Sequence, residues 1–113
     1  MNPPDKAFKI PAAQIRRLIA NMGRCFASDR ITVDGAPVGY MYREVPDNDV
    51  DSGWRFFSGT ETQEYVDDAS HISIYDANTI ANYDPAIIAY LASPEGTQLE
   101  RVAGTTKFQI IEE

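Results

Sequence analysis

An α+β domain, with a mostly antiparallel sheet, an N-terminal helix and two or three short helices, is what this sequence predicts. Two strand-like runs flank the turn-forming pair Asp34-Gly35, an aromatic strand follows the next polar loop, and apolar residues recur at helical spacing after Pro11 and Pro85. With 113 residues, 43% of them hydrophobic, the chain can bury its own core and needs neither disulfide nor metal to fold.

Residues 1–10 read as a flexible lead-in, because Pro3 and Pro4 interrupt any regular element, and 11–113 as the single domain. From Pro11, which suits a first helical turn, Ile15, Leu18, Ile19 and Met22 fall on one helical stripe, with Gly23 as the stop. Arg24 to Val33 and Ala36 to Val45 then read as a hairpin closed at Asp34-Gly35. In its second arm Tyr40 and Tyr42 share a face with Val38, opposite Met41 and Arg43. Pro46 to Gly53 is a polar loop, and Trp54 to Phe57 a short strand ended by Ser58-Gly59.

Further along, Glu61 to Asp68 suits a helical turn and His71 to Tyr75 a strand. Asp76 or Asn78 can cap a short helix through Ile80 and Tyr83, and Asp84-Pro85 opens another. Leu99 to Val102 and Lys107 to Ile111 form a last strand pair around Ala103-Gly104.

The net charge of −7 is unevenly spread. Residues 1–30 carry +4 and the remainder −11, and between Glu44 and Asp76 nine carboxylates face only Arg55. Such a body repels phosphate backbones and attracts basic proteins, which argues against direct nucleic-acid binding. No apolar run approaches the roughly 20 residues of a membrane span. The N-terminus lacks the apolar stretch of a secretory signal, and the single Cys25 fits a reducing cytoplasm.

No catalytic constellation stands out. His71 is the only histidine and Cys25 the only thiol, the latter within an expected strand. Phosphate-binding glycine loops and paired zinc-ligand spacings are absent, so neither cofactor nor metal is indicated. Asp47-x-Asp49-x-Asp51 begins like a calcium loop, but Ser52 and Ser58 stand where glycine and the closing carboxylate belong. A solvated or partner-contacting acidic loop is the better reading. Trp54 and Phe56 suit the core face of a central strand, with Phe57 on the other face under a helix. Any of the three left exposed beside the acidic residues would make an anchor for a partner.

The blocks Cys25 to Glu44 (CFASDRITVDGAPVGYMYRE), Asp51 to Gly59 (DSGWRFFSG), Glu64-Tyr65, Ile74-Tyr75-Asp76 and Asn82-Tyr83-Asp84-Pro85 follow one another in an order that resembles the bacterial immunity protein 33 domain family. The likeness covers about residues 25–92 closely and the tail more loosely. It implies an α+β fold and a protein that binds a cognate polymorphic toxin and blocks it in the producing cell, with no catalytic residue. On that expectation Asp47, Asp49, Asp51, Glu61 and Glu64 steer a basic toxin domain, and Trp54 or a tyrosine anchors it.

Two alternatives stand beside it. One is a stand-alone enzyme or small-ligand domain, with a pocket lined by tyrosines and Arg43, Arg55 or His71. The other is docking of the basic N-terminal helix on an acidic partner or on a second copy of the chain, forming a salt-sensitive oligomer.

Overall fold

A computed structural model of the chain describes residues 7–111. Its strands are β1 (Arg24–Ser28), β2 (Tyr40–Arg43), β3 (Asp51–Phe57), β4 (Ile72–Asp76), β5 (Gln98–Arg101) and β6 (Phe108–Ile110). They form one sheet in the order β4-β1-β3-β2-β5-β6, in which β1 and β3 run parallel and the other neighbours antiparallel. The helices are α1 (Asp29–Thr32), α2 (Gln63–Asp67) and α3 (Ala77–Tyr83), with 3-10 turns at Ala12–Gln14, Ala69–His71 and Pro85–Tyr90.

One face of the sheet carries the core. Cys25, Ala27, Met41, Trp54, Phe56 and Leu99 point toward Ile31, Val38, Ile80, Ala81, Ile87 and Leu91, and all are buried. Trp54 and Phe56 are fully enclosed there, and the Trp54 indole N–H donates to the Leu91 carbonyl at 3.1 Å. Asp84 ties the helical layer to the sheet. It caps the 85–90 turn through the Ala86 N–H, accepts from the Val38 N–H at 2.9 Å, and pairs with Arg101.

Two expected elements do not form. The hairpin closed at Asp34-Gly35 is absent, because β3 lies between β1 and β2. The first arm ends at Ser28, whose hydroxyl accepts from the Arg30 N–H and caps α1. Asp34-Gly35 closes that helical turn instead, with Gly35 at φ +80° and its N–H donating to the Ile31 carbonyl at 3.2 Å. The positive φ that suits a hairpin also suits the end of a helix. The polar loop is also shorter than expected, since Asp51 to Gly53 belong to β3.

The N-terminal helix is likewise replaced, by the 3-10 turn at Ala12–Gln14 followed by irregular chain as far as Gly23. Two asparagines one turn apart on α3 take over the hydrogen bonds a helix would have made internally. Asn78 Oδ1 accepts from the N–H groups of Leu18 (2.8 Å) and Ile19 (3.2 Å), and its Nδ2 donates to the Arg16 carbonyl at 2.8 Å. Asn82 accepts from the Arg16 N–H at 2.9 Å and donates to the same carbonyl at 2.8 Å. A stripe as narrow as Ile15, Leu18, Ile19 and Met22 gives a helix little to bury, so the chain lies flat as a strap. Of the expected lead-in, residues 1–6 lie outside the described range. Lys9 N–H donates to Thr32 O at 2.8 Å, and Ile10 exchanges hydrogen bonds with the Tyr83 hydroxyl.

Asn78→Ala should therefore release the strap and cost about 1–3 kcal/mol, because three hydrogen bonds to partly buried backbone groups are lost. In limited trypsin digestion, cleavage after Arg16 and Arg17 should quicken ahead of cleavage after the buried Arg55. Equal rates in the variant and the parent would show that the strap is held by something else.

Candidate functional site

Among the described residues, no helix lies across the centre of the sheet face opposite the core. Alternation along the strands places Phe26, Ile74, Arg55, Phe57, Tyr40, Tyr42, Gln98 and Glu100 on it. Its chemistry divides into an acidic centre and an aromatic side.

The acidic centre is organised by Arg55, which is 3% exposed although it carries a full charge. Its Nη1 and Nη2 donate to both oxygens of Asp51 (3.0 and 2.9 Å), and its Nε to Glu44 Oε2 at 2.7 Å. Asp47 lies 3.8 Å away, and the guanidinium sits 4.5 Å over the Phe26 ring. Residues four apart on a regular strand are about 13 Å apart and cannot form a direct pair. Here the strand is irregular. Arg24 is opposite Asp51 while Phe26 is opposite Arg55, and Gly53 between them holds φ +88°. A Cβ at Gly53 would fall 2.3 Å from the Glu44 carbonyl oxygen, so only glycine fits this bulge.

Hydrogen bonds from Arg55 hold the Asp51 carboxyl well below the usual carboxylate range; burial works the other way, and the N–H groups of Asp47 and Gly53 reinforce the shift. The Arg55 guanidinium is correspondingly raised by its bond to Asp51, against the effect of burial. Of the alternating carboxylates of residues 47–51, Asp51 and Asp47 are thus turned toward the Arg55 guanidinium.

The aromatic side is a cluster of three rings. Tyr42 and Phe57 stack at 6.1 Å and 4°, Tyr40 and Tyr42 lie 5.5 Å apart, and Tyr40 and Phe57 6.3 Å apart. Beside them runs an open groove of about 600 Å³, to which Glu61, Val66 and Glu100 contribute. Glu61 accepts from the Ser58 N–H and hydroxyl and from the Gly59 N–H, each at 2.9 Å. Burial disfavours its charge, but hydrogen bonds from the Ser58 N–H, the Ser28 side chain, its own N–H and the Ser58 hydroxyl work the other way, and the carboxyl is lowered. Neither Glu61 nor Glu100 is paired with a cation among the described residues. Across the acidic centre, Ile74 and Val50 are 58% and 53% exposed.

The six residues expected to meet a partner therefore divide. Asp47, Asp49 and Glu64 are exposed. Asp51 is committed to Arg55, Glu61 holds the turn after β3, and Trp54 is enclosed in the core with no surface to offer. Phe57, expected under a helix, instead stacks with Tyr42 on the open face. The Tyr40–Tyr42–Phe57 cluster was missed as a unit. Its signal was present in the alternation of Tyr40 with Tyr42 and in the offset of Phe57 from Trp54 and Phe56. Only the β2–β3 pairing joins the two.

The residues weighed for catalysis do not converge. Cys25 pairs with Tyr75 in the ladder, while His71 precedes Ile72, the partner of Ser28, at the other end. Burial first, then the charge of Asp76, pushes the Cys25 thiol far up. His71 stacks on Tyr65 at 4.0 Å, and its Nδ1–H donates to the Tyr65 carbonyl at 2.7 Å. Arg43 donates to the carbonyls of Ser52 and Ser93 behind Trp54.

Asp51→Asn should cost about 3 kcal/mol in urea unfolding, because it leaves Arg55 buried with half its partners. Asp49→Asn, a neighbour in the same run, should stay within about 0.5 kcal/mol. A carboxyl lowered on folding contributes stability above its unfolded value, about 3.9, and loses it as the pH falls toward the folded value. The parent protein should therefore weaken steadily below about pH 4, and the gap to Asp51→Asn should narrow there. A constant gap would assign the stabilisation to packing.

Against known proteins, a family model described as the Immunity protein Imm33 domain matches residues 25–112. No curated protein and no solved structure matches the chain. The strap that lies on Asn78 and Asn82 falls outside the matched range.

Proposed function

The chain belongs to the Imm33 immunity protein family, and we propose that it binds a basic toxin domain through the uncovered face of its sheet and neutralises it by occlusion. The observation that carries this reading is the three-ring cluster rimmed by carboxylates that no cation of the described chain satisfies. Aromatic side chains supply large contact area at low entropic cost, which suits an interface better than a solvated face. Exposed carboxylates around them speed encounter with a basic partner, and those that meet a cation at close range also add to affinity. The chain acts as a binder in this reading, and its residues perform no chemistry on the toxin.

The acidic loop has a smaller share in recognition than its composition suggests. Glu44 and Asp51 bond to Arg55, so their charge reaches a partner partly cancelled. Asp47, Asp49, Glu64, Glu61 and Glu100 supply the remaining field.

The test is co-expression with the C-terminal domain of a toxin gene encoded beside this one. The parent chain should restore growth and form a stoichiometric complex. Tyr40→Arg with Tyr42→Arg should abolish protection, and Asp49→Lys should only slow association, with an effect that fades in high salt. Protection that survives both tyrosine changes would move the interface off this face. No complex at any salt would remove the proposal.

A further inference from the structure

The groove beside the three rings has a specific composition. Tyr40, Tyr42 and Phe57 stand on one side, and Glu61, Val66 and Glu100 complete the lining, with Gly39, Gly59 and Ile111 contributing small or apolar surface. No lysine or arginine of the described residues lines it. Gly39, in its wall, packs so tightly on the Ser58–Gly59 backbone that a Cβ there would fall 2.0 Å from the Ser58 carbonyl oxygen. The Glu61 carboxylate is locked by its bonds to that same turn, so it cannot swing away from the groove. Glu100, held loosely by Gln109 at 3.3 Å, is free to follow an occupant.

An anion is repelled by such a lining, and a purely apolar side chain would strip water from two carboxylates without replacing it. A planar cation satisfies both halves at once. It lies on the negative faces of the rings and donates hydrogen bonds to the carboxylates. We propose that this groove is the receptor for an arginine side chain projected by the bound protein, the specificity-setting anchor of the interface. This deepens the toxin-binding reading and rests on it for the identity of the partner, though the groove's preference for a guanidinium can be measured alone.

The probe is the capped tripeptide acetyl-Gly-Arg-Gly-amide, titrated into the full chain and followed by two-dimensional amide NMR, with the citrulline tripeptide as its uncharged isostere. The arginine peptide should give saturating shifts confined to residues 39–42, 57–61 and 100, and the citrulline peptide should bind about fivefold more weakly or worse. Tyr42→Leu, which keeps apolar bulk, should weaken binding about as much. Glu100→Gln, at an exposed position that leaves the fold intact, should do so even if the leucine variant is unstable. Equal binding of the two peptides, shifts that never saturate, or shifts centred on residues 44–51 would overturn the proposal. A toxin domain that binds Glu100→Gln and Tyr42→Leu as tightly as the parent would overturn the anchor while leaving neutralisation intact. Guanidinium binding by a chain that protects against no toxin would do the reverse.

Discussion

Gly53 sets where this fold can hold a positive charge. The central strand β3 carries Trp54 and Phe56 into the core and Arg55 out of it, and Arg55 is covered almost completely by its surroundings. A guanidinium in that position destabilises the fold unless carboxylates meet it, since an unpaired buried charge costs several kcal/mol. The bulge at Gly53 brings Asp51 back over its own strand to do this, and Glu44 closes from the end of β2. Through Glu44, the same guanidinium joins the end of β2 to β3, the two strands that carry the aromatic cluster.

From that constraint follows the division of labour on the open face. Carboxylates near Arg55 are structural first and electrostatic second. The proposed contact surface lies to one side, where Tyr40, Tyr42 and Phe57 project from paired strands and no lysine or arginine of the described residues lines the groove. A binding protein gains from this separation. The charged cluster satisfies a buried guanidinium at the centre of the sheet face, and the ring cluster lies to its side.

Much of the architecture could be read from the sequence because it rests on local chemistry. Asp76 caps α3 and Asp84 the following turn, as their positions ahead of apolar runs suggest, and the β5–β6 pair forms around Ala103-Gly104. Trp54 and Phe56 lie in the core as strand alternation requires. What was illegible depends on long-range pairing. Asp34-Gly35 has the same dihedral signature whether it closes a hairpin or a helical turn, and only the insertion of β3 between β1 and β2 decides. The helical spacing of Ile15, Leu18, Ile19 and Met22 gave no hint that Asn78 and Asn82 would hold that segment flat, sixty residues away. The acidic run read as free surface because its cation, Arg55, is matched to Asp51 through a bulge that spacing alone does not reveal.

Hydroxyl-radical footprinting of the chain alone and in complex with its toxin domain examines the central claim, that the uncovered sheet face is the interface, without altering a residue. Tyr40, Tyr42 and Phe57 should be oxidised in the free protein and shielded in the complex, while Ile88 and Leu18 on the opposite side keep their reactivity. Shielding of Ile88 and Leu18 with the three rings still reactive would place the interface on the helical layer and contradict the account.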